Sequence, residues 1–146
     1  MDSLDITPAD GHIDAVYMGM VLQGGAGQAP ARQACLGAGL PVETPATTVN
    51  KVCGSSLKAV MIAAMEIESG RSKVVIAGGM ESMTNAPFIA QNIDKGNPIE
   101  QSSLISLLQK DGLTDAFSGD HMGISGETIA TEEGVDRNTA DMYALN

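Results

Sequence analysis

The chain has 146 residues, 43% of them hydrophobic, enough for one ordinary domain with a real core. A formal charge of −10 argues against a nucleic-acid partner, whose phosphates need Lys and Arg, but allows a small anionic ligand held by backbone donors. Two cysteines make no disulfide framework, and neither they nor His12 and His121 have metal-ligand spacing, so a reducing compartment and no metal are expected.

Met1 to Asp14 is polar, with Pro8 and Gly11, and reads as a fraying start. Ala15 to Leu22, AVYMGMVL, is a continuous apolar run of the kind that forms a strand covered on both faces. Gly24, Gly25 and Gly27 make a loop. Gln28 to Ala38 then reads as a short helix, with Pro30 in its first turn and Gly39 just past its end. Cys35, inside that helix, is read as packing. The Pro-containing link LPVETP brings the chain to its next strand.

Thr47 to Ala64, TTVNKVCGSSLKAVMIAA, reads as a short β-branched strand, a tight turn carrying Cys53, and a helix whose first residues are small. Leu57, Val60, Met61 and Ala64 fall at i, i+3, i+4 and i+7, one apolar stripe. Ala59 and Ala63 are good helix formers, and Ser55 or Ser56 can satisfy first-turn donors. A helix starting there turns unpaired N–H groups and the positive end of its dipole toward the sulfur. That arrangement favours the thiolate and makes Cys53 a candidate nucleophile. The plainer alternative is core filling, the commonest use of a lone cysteine.

Val74 to Ala77, VVIA, is another buried-type strand, running into GGMESM. Strand, helix, strand, helix, strand implies right-handed crossovers and a parallel sheet, with the functional crevice at the carboxyl ends of the strands. Cys53 and the Gly78–Gly79 pair therefore share one edge. The glycines are read as packing, and Glu81 is given no catalytic role. From Asn85 the chain is loop-like, and Ser103 to Lys110 carries a short amphipathic helix with Leu104, Leu107 and Leu108 on one face. After the loop DGLTDAFSGDHMG come two helices, Ile124 to Glu133 and Asp136 to Asn146, the second capped by Asp136. No strand signal follows Ala77.

The expected fold is α/β, a mostly parallel sheet with helices on both faces plus a helical loop domain. Residues 1–84 form an incomplete core domain carrying the nucleophile, and 85–146 form the loop domain, truncated at its end. The last helix has no stop signal and the three-stranded sheet has no obvious edge protection, so a piece of something longer is expected. No apolar run approaches membrane-spanning length and the N-terminus has no basic-then-apolar leader, which points to a soluble, cytoplasmic protein.

NKVCGSSLKAV, VIAGGMESMTNAPF, KDGLTDAF and HMG, in that order, together with the upstream GQAPARQA, resemble the thiolases, and among them the acetyl-CoA C-acetyltransferase branch. The likeness runs from about Ala15 onward. It implies an N-terminal half of the thiolase fold and a transferase acting on coenzyme A thioesters in fatty acid metabolism. Coenzyme A enters as substrate, and no further cofactor is implied. By the resemblance Cys53 is the acylated nucleophile, and its own N–H contributes to an oxyanion hole. His121 lines the pocket beside the acyl group, Met122 shapes its apolar wall, and Leu113 lies against the pantetheine arm. Read from the residues alone, His121 is a loop histidine bonded to backbone. The reaction implied is condensation of two acetyl-CoA to acetoacetyl-CoA, or the reverse thiolysis, by a homo-oligomer, dimer or tetramer.

Three departures qualify this. Ser56 stands where most members have Gly. The catalytic His and the second Cys of the family belong to a C-terminal half outside this chain, so the chain alone is expected to be incomplete for turnover. The family's opening strand and the strand closing this sheet are also missing. The alternative function is a non-catalytic thiolase-like fragment or interaction module that needs a partner chain. A ketosynthase would keep the cysteine with other loop motifs, and a redox-active cysteine would usually bring a resolving thiol, which Cys35 is not placed to be.

Overall fold

The computed structural model describes residues 13–90 and 104–146. The expected fraying start, residues 1–12 of it, and residues 91–103 of the loop-like stretch lie outside the described residues.

Strand β1, Ala15–Gly19, is the centre of a three-stranded parallel sheet. It is flanked by β2, Ala46–Val49, and β3, Val75–Gly79, in the order β2-β1-β3. Val16 is level with Ala46 on one side and Ile76 on the other. Those three share a sheet face, because alternate residues of a strand point the same way. On that face they meet Cys35 and Leu40, with Ile13, in the main apolar cluster. Burying each large apolar side chain stabilises the fold by about 1.5–3 kcal/mol.

Cys35 belongs to helix α1, Pro30–Gly37, which links β1 to β2. As expected, Pro30 opens it, and Gly39 takes φ 79 beyond its end, a left-handed conformation that suits glycine. No side chain at the helix start caps it; instead the Thr48 hydroxyl of β2 accepts the Ala31 N–H at 3.0 Å. Arg32 reaches back to donate to the carbonyls of Thr44 and Val42, which fastens the return link.

Helix α2, Ser55–Glu68, links β2 to β3 and packs on the opposite face, where Tyr17 and Gly19 point. Two right-handed crossovers that leave in opposite directions require that placement. A polar tie holds the far end of the helix. Tyr17 donates to Glu66 Oε1 at 2.6 Å and Ser72 donates to Oε2 at 2.7 Å. These hydroxyls, Tyr17 first, hold the Glu66 carboxyl below the usual carboxylate range, and the same bond raises the Tyr17 hydroxyl.

The helix is where the sequence predicts it, but the face it packs is not the expected stripe. Ser55, Ala59 and Ala63 are buried, whereas Leu57 is 67% exposed and Val60 and Met61 about half exposed. Close approach is the reason: a Cβ on Gly19 would lie 2.5 Å from the Ser56 backbone nitrogen, so only small residues fit between helix and sheet. The serines do not act as caps either. Gly54 holds the cap position, and Ser55 bonds within the preceding turn.

Strand β1 also ends earlier than the apolar run suggests. After Met20 the Val21 and Leu22 N–H groups leave the ladder because the Glu81 carboxylate accepts both, at 2.9 and 3.0 Å. At the start of the sheet Asp14 does the same for Val74 and Lys73 at the entry to β3, and those N–H groups lower its pKa.

Beyond Ala77 the expectation of no further strand is corrected. Phe88–Ala90 (β4) and Leu104–Ser106 (β5) pair antiparallel. Each is three residues, too short to show alternation. The amphipathic helix expected over Ser103 to Lys110 is replaced accordingly: Leu104 lies in β5, Leu107 is buried, and a π-helical segment spans Leu108–Leu113. Leu107 fills the space beside Gly24, where a Cβ would lie 2.6 Å from its Cδ2. Long-range packing thus overrides the local leucine pattern.

Helix α3 is Met122–Glu132 and α4 is Arg137–Leu145, with Asp136 accepting the Thr139 N–H at 2.7 Å as the expected cap. Neither helix has a buried residue. No helix among the described residues is long and apolar enough to cross a membrane.

Candidate active site

Five residues separate the end of β2 from the start of α2, and Val52 among them has φ +46. A β-branched side chain rarely adopts this left-handed conformation, which costs on the order of 1–3 kcal/mol and persists only when its surroundings enforce it. Here they do. The Val52 N–H donates to Asn50 Oδ1 at 3.0 Å. The Val52 carbonyl accepts from the Ser55 hydroxyl and the Ser55 N–H, while the same hydroxyl accepts the Lys51 N–H at 2.8 Å. Gly54 N–H closes the turn on Lys51 O at 3.1 Å.

At the apex of this turn Cys53 is exposed, whereas Cys35 is buried. Core filling is thereby excluded for Cys53 and supported for Cys35. Among the described residues no hydrogen bond takes up the N–H groups of Cys53, Ser56 or Leu57. Open donors and the positive end of the α2 dipole therefore belong to the same turn as Cys53.

Cys53 faces a cleft of about 320 Å³, walled by Gly19 at the end of β1 with Met20 after it, Val52 and Ser56 from the turn and helix that follow β2, and Gly79 at the end of β3 with Glu81 beyond it. The expectation that Cys53 and the glycine pair share one edge is met. Gly79 pairs with Gly19 across the ladder, and Ser56 sits against Gly79. The glycines thus admit the helix start. Glu81 lines the cleft with both carboxylate oxygens committed to Val21 and Leu22.

A second, larger cleft of about 750 Å³ adjoins the first and shares Val21 and Val52 with it. Asn50, the π-helical residues Lys110 to Gly112, the loop after them and Met122 complete its wall. That loop is closed on itself, since Asp115 accepts the Ser118 and Phe117 N–H groups at 2.7 and 2.9 Å, Ser118 first in lowering its pKa.

The structure places the other expected residues as follows. Met122 lines the larger cleft. Leu113 ends the π-helical segment, half-buried, and His121 is exposed at the N-cap of α3; neither lines either cleft. His121 Nδ1 accepts the Gly123 N–H at 3.0 Å, which leaves the neutral ring's proton on Nε2. Asn50, Val52 and Glu81 carry geometry that the sequence reading assigned to none of them. An Asn two residues before a backbone donor is a signal for an Asx turn, but a valine at positive φ announces itself by no sequence signal.

The family model described as "Thiolase, N-terminal domain" matches residues 2–146. The cytosolic acetyl-CoA acetyltransferase of Gibberella zeae is 49% identical over 141 residues, which is 97% of this chain and 35% of that protein. The mitochondrial acetyl-CoA acetyltransferase of Homo sapiens is 49% identical over 135 residues, 92% of this chain and 31% of its own length. Among solved structures, the Acat5 thiolase from Ascaris suum in complex with coenzyme A superposes with a TM-score of 0.82 at 36% identity, covering 92% of this chain and 35% of that one. The chain thus spans about a third of the length of the curated relatives it matches.

Proposed function

The chain belongs to the thiolase family, and from that we propose that it supplies the nucleophile of an acetyl-CoA C-acetyltransferase. The observation that carries the proposal is an exposed Cys53 at the apex of a strained turn, beside open backbone donors and a cleft. The Cys53 thiolate attacks the thioester carbonyl of acetyl-CoA. The bond from that carbon to the coenzyme A sulfur breaks, and the departing thiolate takes up a proton. The Cys53 N–H, which no hydrogen bond among the described residues takes up, would stabilise the oxyanion. A second acetyl-CoA, deprotonated at its methyl group, attacks the acyl-enzyme, giving acetoacetyl-CoA and regenerating the thiolate; thiolysis is the reverse.

Met122, on the larger cleft, would form an apolar wall for the acyl group; the family resemblance would put His121 beside that group and Leu113 against the pantetheine arm, although neither lines either cleft. The core up to residue 84 would hold the nucleophile, and the remainder would form a substrate-binding loop domain. A base for the methyl proton is needed as well. Among the described residues no imidazole or second thiol lines the Cys53 cleft, so the chain alone would acylate without completing condensation. A cytoplasmic place in fatty acid metabolism, as a dimer or tetramer, completes the reading. Among the described residues β2 is an outer strand of the sheet, which supports pairing with another copy.

Incubation with acetyl-CoA at mildly alkaline pH, followed by peptide mass mapping, tests this. One acetyl group on Cys53, none on Cys35 and none in Cys53→Ser is the expected result. Acetylation spread over lysines with Cys53 untouched would remove the proposal.

A second reading has an observation of its own. The outward face of α2, with Leu57, Val60, Met61 and Met65, is exposed, and α3 and α4 bury nothing. Such surfaces fit an interaction module that functions only against further polypeptide. A clean monomer with a cooperative unfolding transition would argue against it.

A further inference from the structure

We infer that Asn50 is the positioning residue that ties the Cys53 turn to the sheet, an assignment that rests on the proposed nucleophilic role of Cys53. The bonds made by Ser55 stay within Lys51 to Ser55 and shape the turn without locating it. Asn50 differs, because its amide faces two ways. Oδ1 accepts the Val52 N–H at 3.0 Å and so holds the left-handed residue next to the sulfur. Nδ2 donates to the Val21 carbonyl at 3.3 Å, on the chain leaving β1.

The same stretch is gripped from its other side. Val21 and Leu22 donate to Glu81, which follows β3. Glu81, Val21 and Asn50 thereby join the carboxyl ends of all three strands into one hydrogen-bonded row, and Val52 hangs from the end of it. Both orientations of the amide can be compared directly. With oxygen and nitrogen exchanged, an N–H would face the Val52 N–H and a carbonyl would face the Val21 carbonyl, so only the observed orientation satisfies both partners. The side chain serves the turn and the neighbouring strand together, and no shorter polar residue spans both. Asn50 also lines the larger cleft beside Val52, so the tie lies on the wall that the two clefts share.

The test is iodoacetamide alkylation of the full chain, mapped by mass, with the rate at Cys53 followed from neutral to alkaline pH. Buried Cys35 reports in the same sample on whether the fold is intact. In the unsubstituted chain Cys53 reacts and Cys35 does not; an inert Cys53 there removes the nucleophile reading, and this assignment with it. With Asn50→Ala the Cys53 rate at neutral pH falls roughly tenfold, the scale of one lost hydrogen bond, with Cys35 still protected. Asn50→Ser keeps an acceptor for Val52 but cannot reach Val21, and recovers part of the loss. A Cys53 rate and profile unchanged in both variants overturns the assignment and leaves the nucleophile reading standing. Loss of Cys35 protection in both variants also overturns it, since Asn50 would then determine only the fold.

Discussion

The Ser56 hydroxyl lies directly over the α-carbon of Gly79: a methyl group placed there would sit 1.9 Å from Ser56 Oγ and 3.1 Å from its Cβ. Helix start and strand end meet at this point, three residues from the sulfur. Gly79→Ala therefore destabilises the chain by about 1–3 kcal/mol. Pairing it with Ser56→Gly removes the opposing oxygen and recovers most of the loss. Urea unfolding of the two single variants and the double variant measures the coupling, and additive effects would show that the clash is not felt.

The inward face of α2 should be far less tolerant than its outward one. Val60→Glu or Met61→Lys changes the unfolding free energy by no more than about 0.5 kcal/mol, whereas Ala59→Leu, at a site with no exposure, costs about 1–3 kcal/mol. A thermal or urea melt of each variant decides between this packing and an inward-facing Leu57 stripe. Sedimentation of Val60→Glu beside the unsubstituted chain adds the association readout, with self-association expected to weaken.

Stability should decline in acid for identifiable reasons. Asp14, Glu66 and Asp115 all titrate below their ordinary values in the folded chain, through backbone or hydroxyl donors. A depressed folded pKa contributes stability above the unfolded value and loses it as the pH falls through the folded one. The urea midpoint is thus expected to drop from about pH 5 downward. Tyr17, whose pKa is raised, acts at the other end: its contribution is present below about pH 10 and lost as the pH rises through the folded value. Glu66→Gln should flatten both limbs, and an unchanged acid limb would show that the tie to Tyr17 and Ser72 is not made in solution.

Asp136→Ala removes the acceptor of the Thr139 N–H and costs about 1 kcal/mol of helix stability at α4. Because α4 buries nothing, the loss should appear as local fraying in amide exchange over Arg137 to Leu145, leaving the sheet's exchange unchanged.

What the sequence discloses follows the range of each interaction. Strand β1, the strand and helix around Cys53, and the Asp136 cap rest on local patterns and are visible as spacing. The face of α2 is not, because Gly19 admits the helix so closely that alanines displace the larger residues from the contact. The early end of β1 is set by a carboxylate sixty positions away, and β4 with β5 by pairing across the chain. At the site, Cys53 and its edge-sharing glycines were readable. The left-handed Val52 and the two-way grip of Asn50 exist only once three strand ends have come together.

Val52 sets a condition on when the cost of aiming the sulfur is met. Its unfavourable dihedral is imposed as the chain folds, by partners that are all intramolecular, so an arriving thioester need not supply that energy from its own contacts. Relaxing the angle with Val52→Gly should make the polypeptide sturdier and its thiol less directed, placing durability and reactivity in opposition at one backbone torsion.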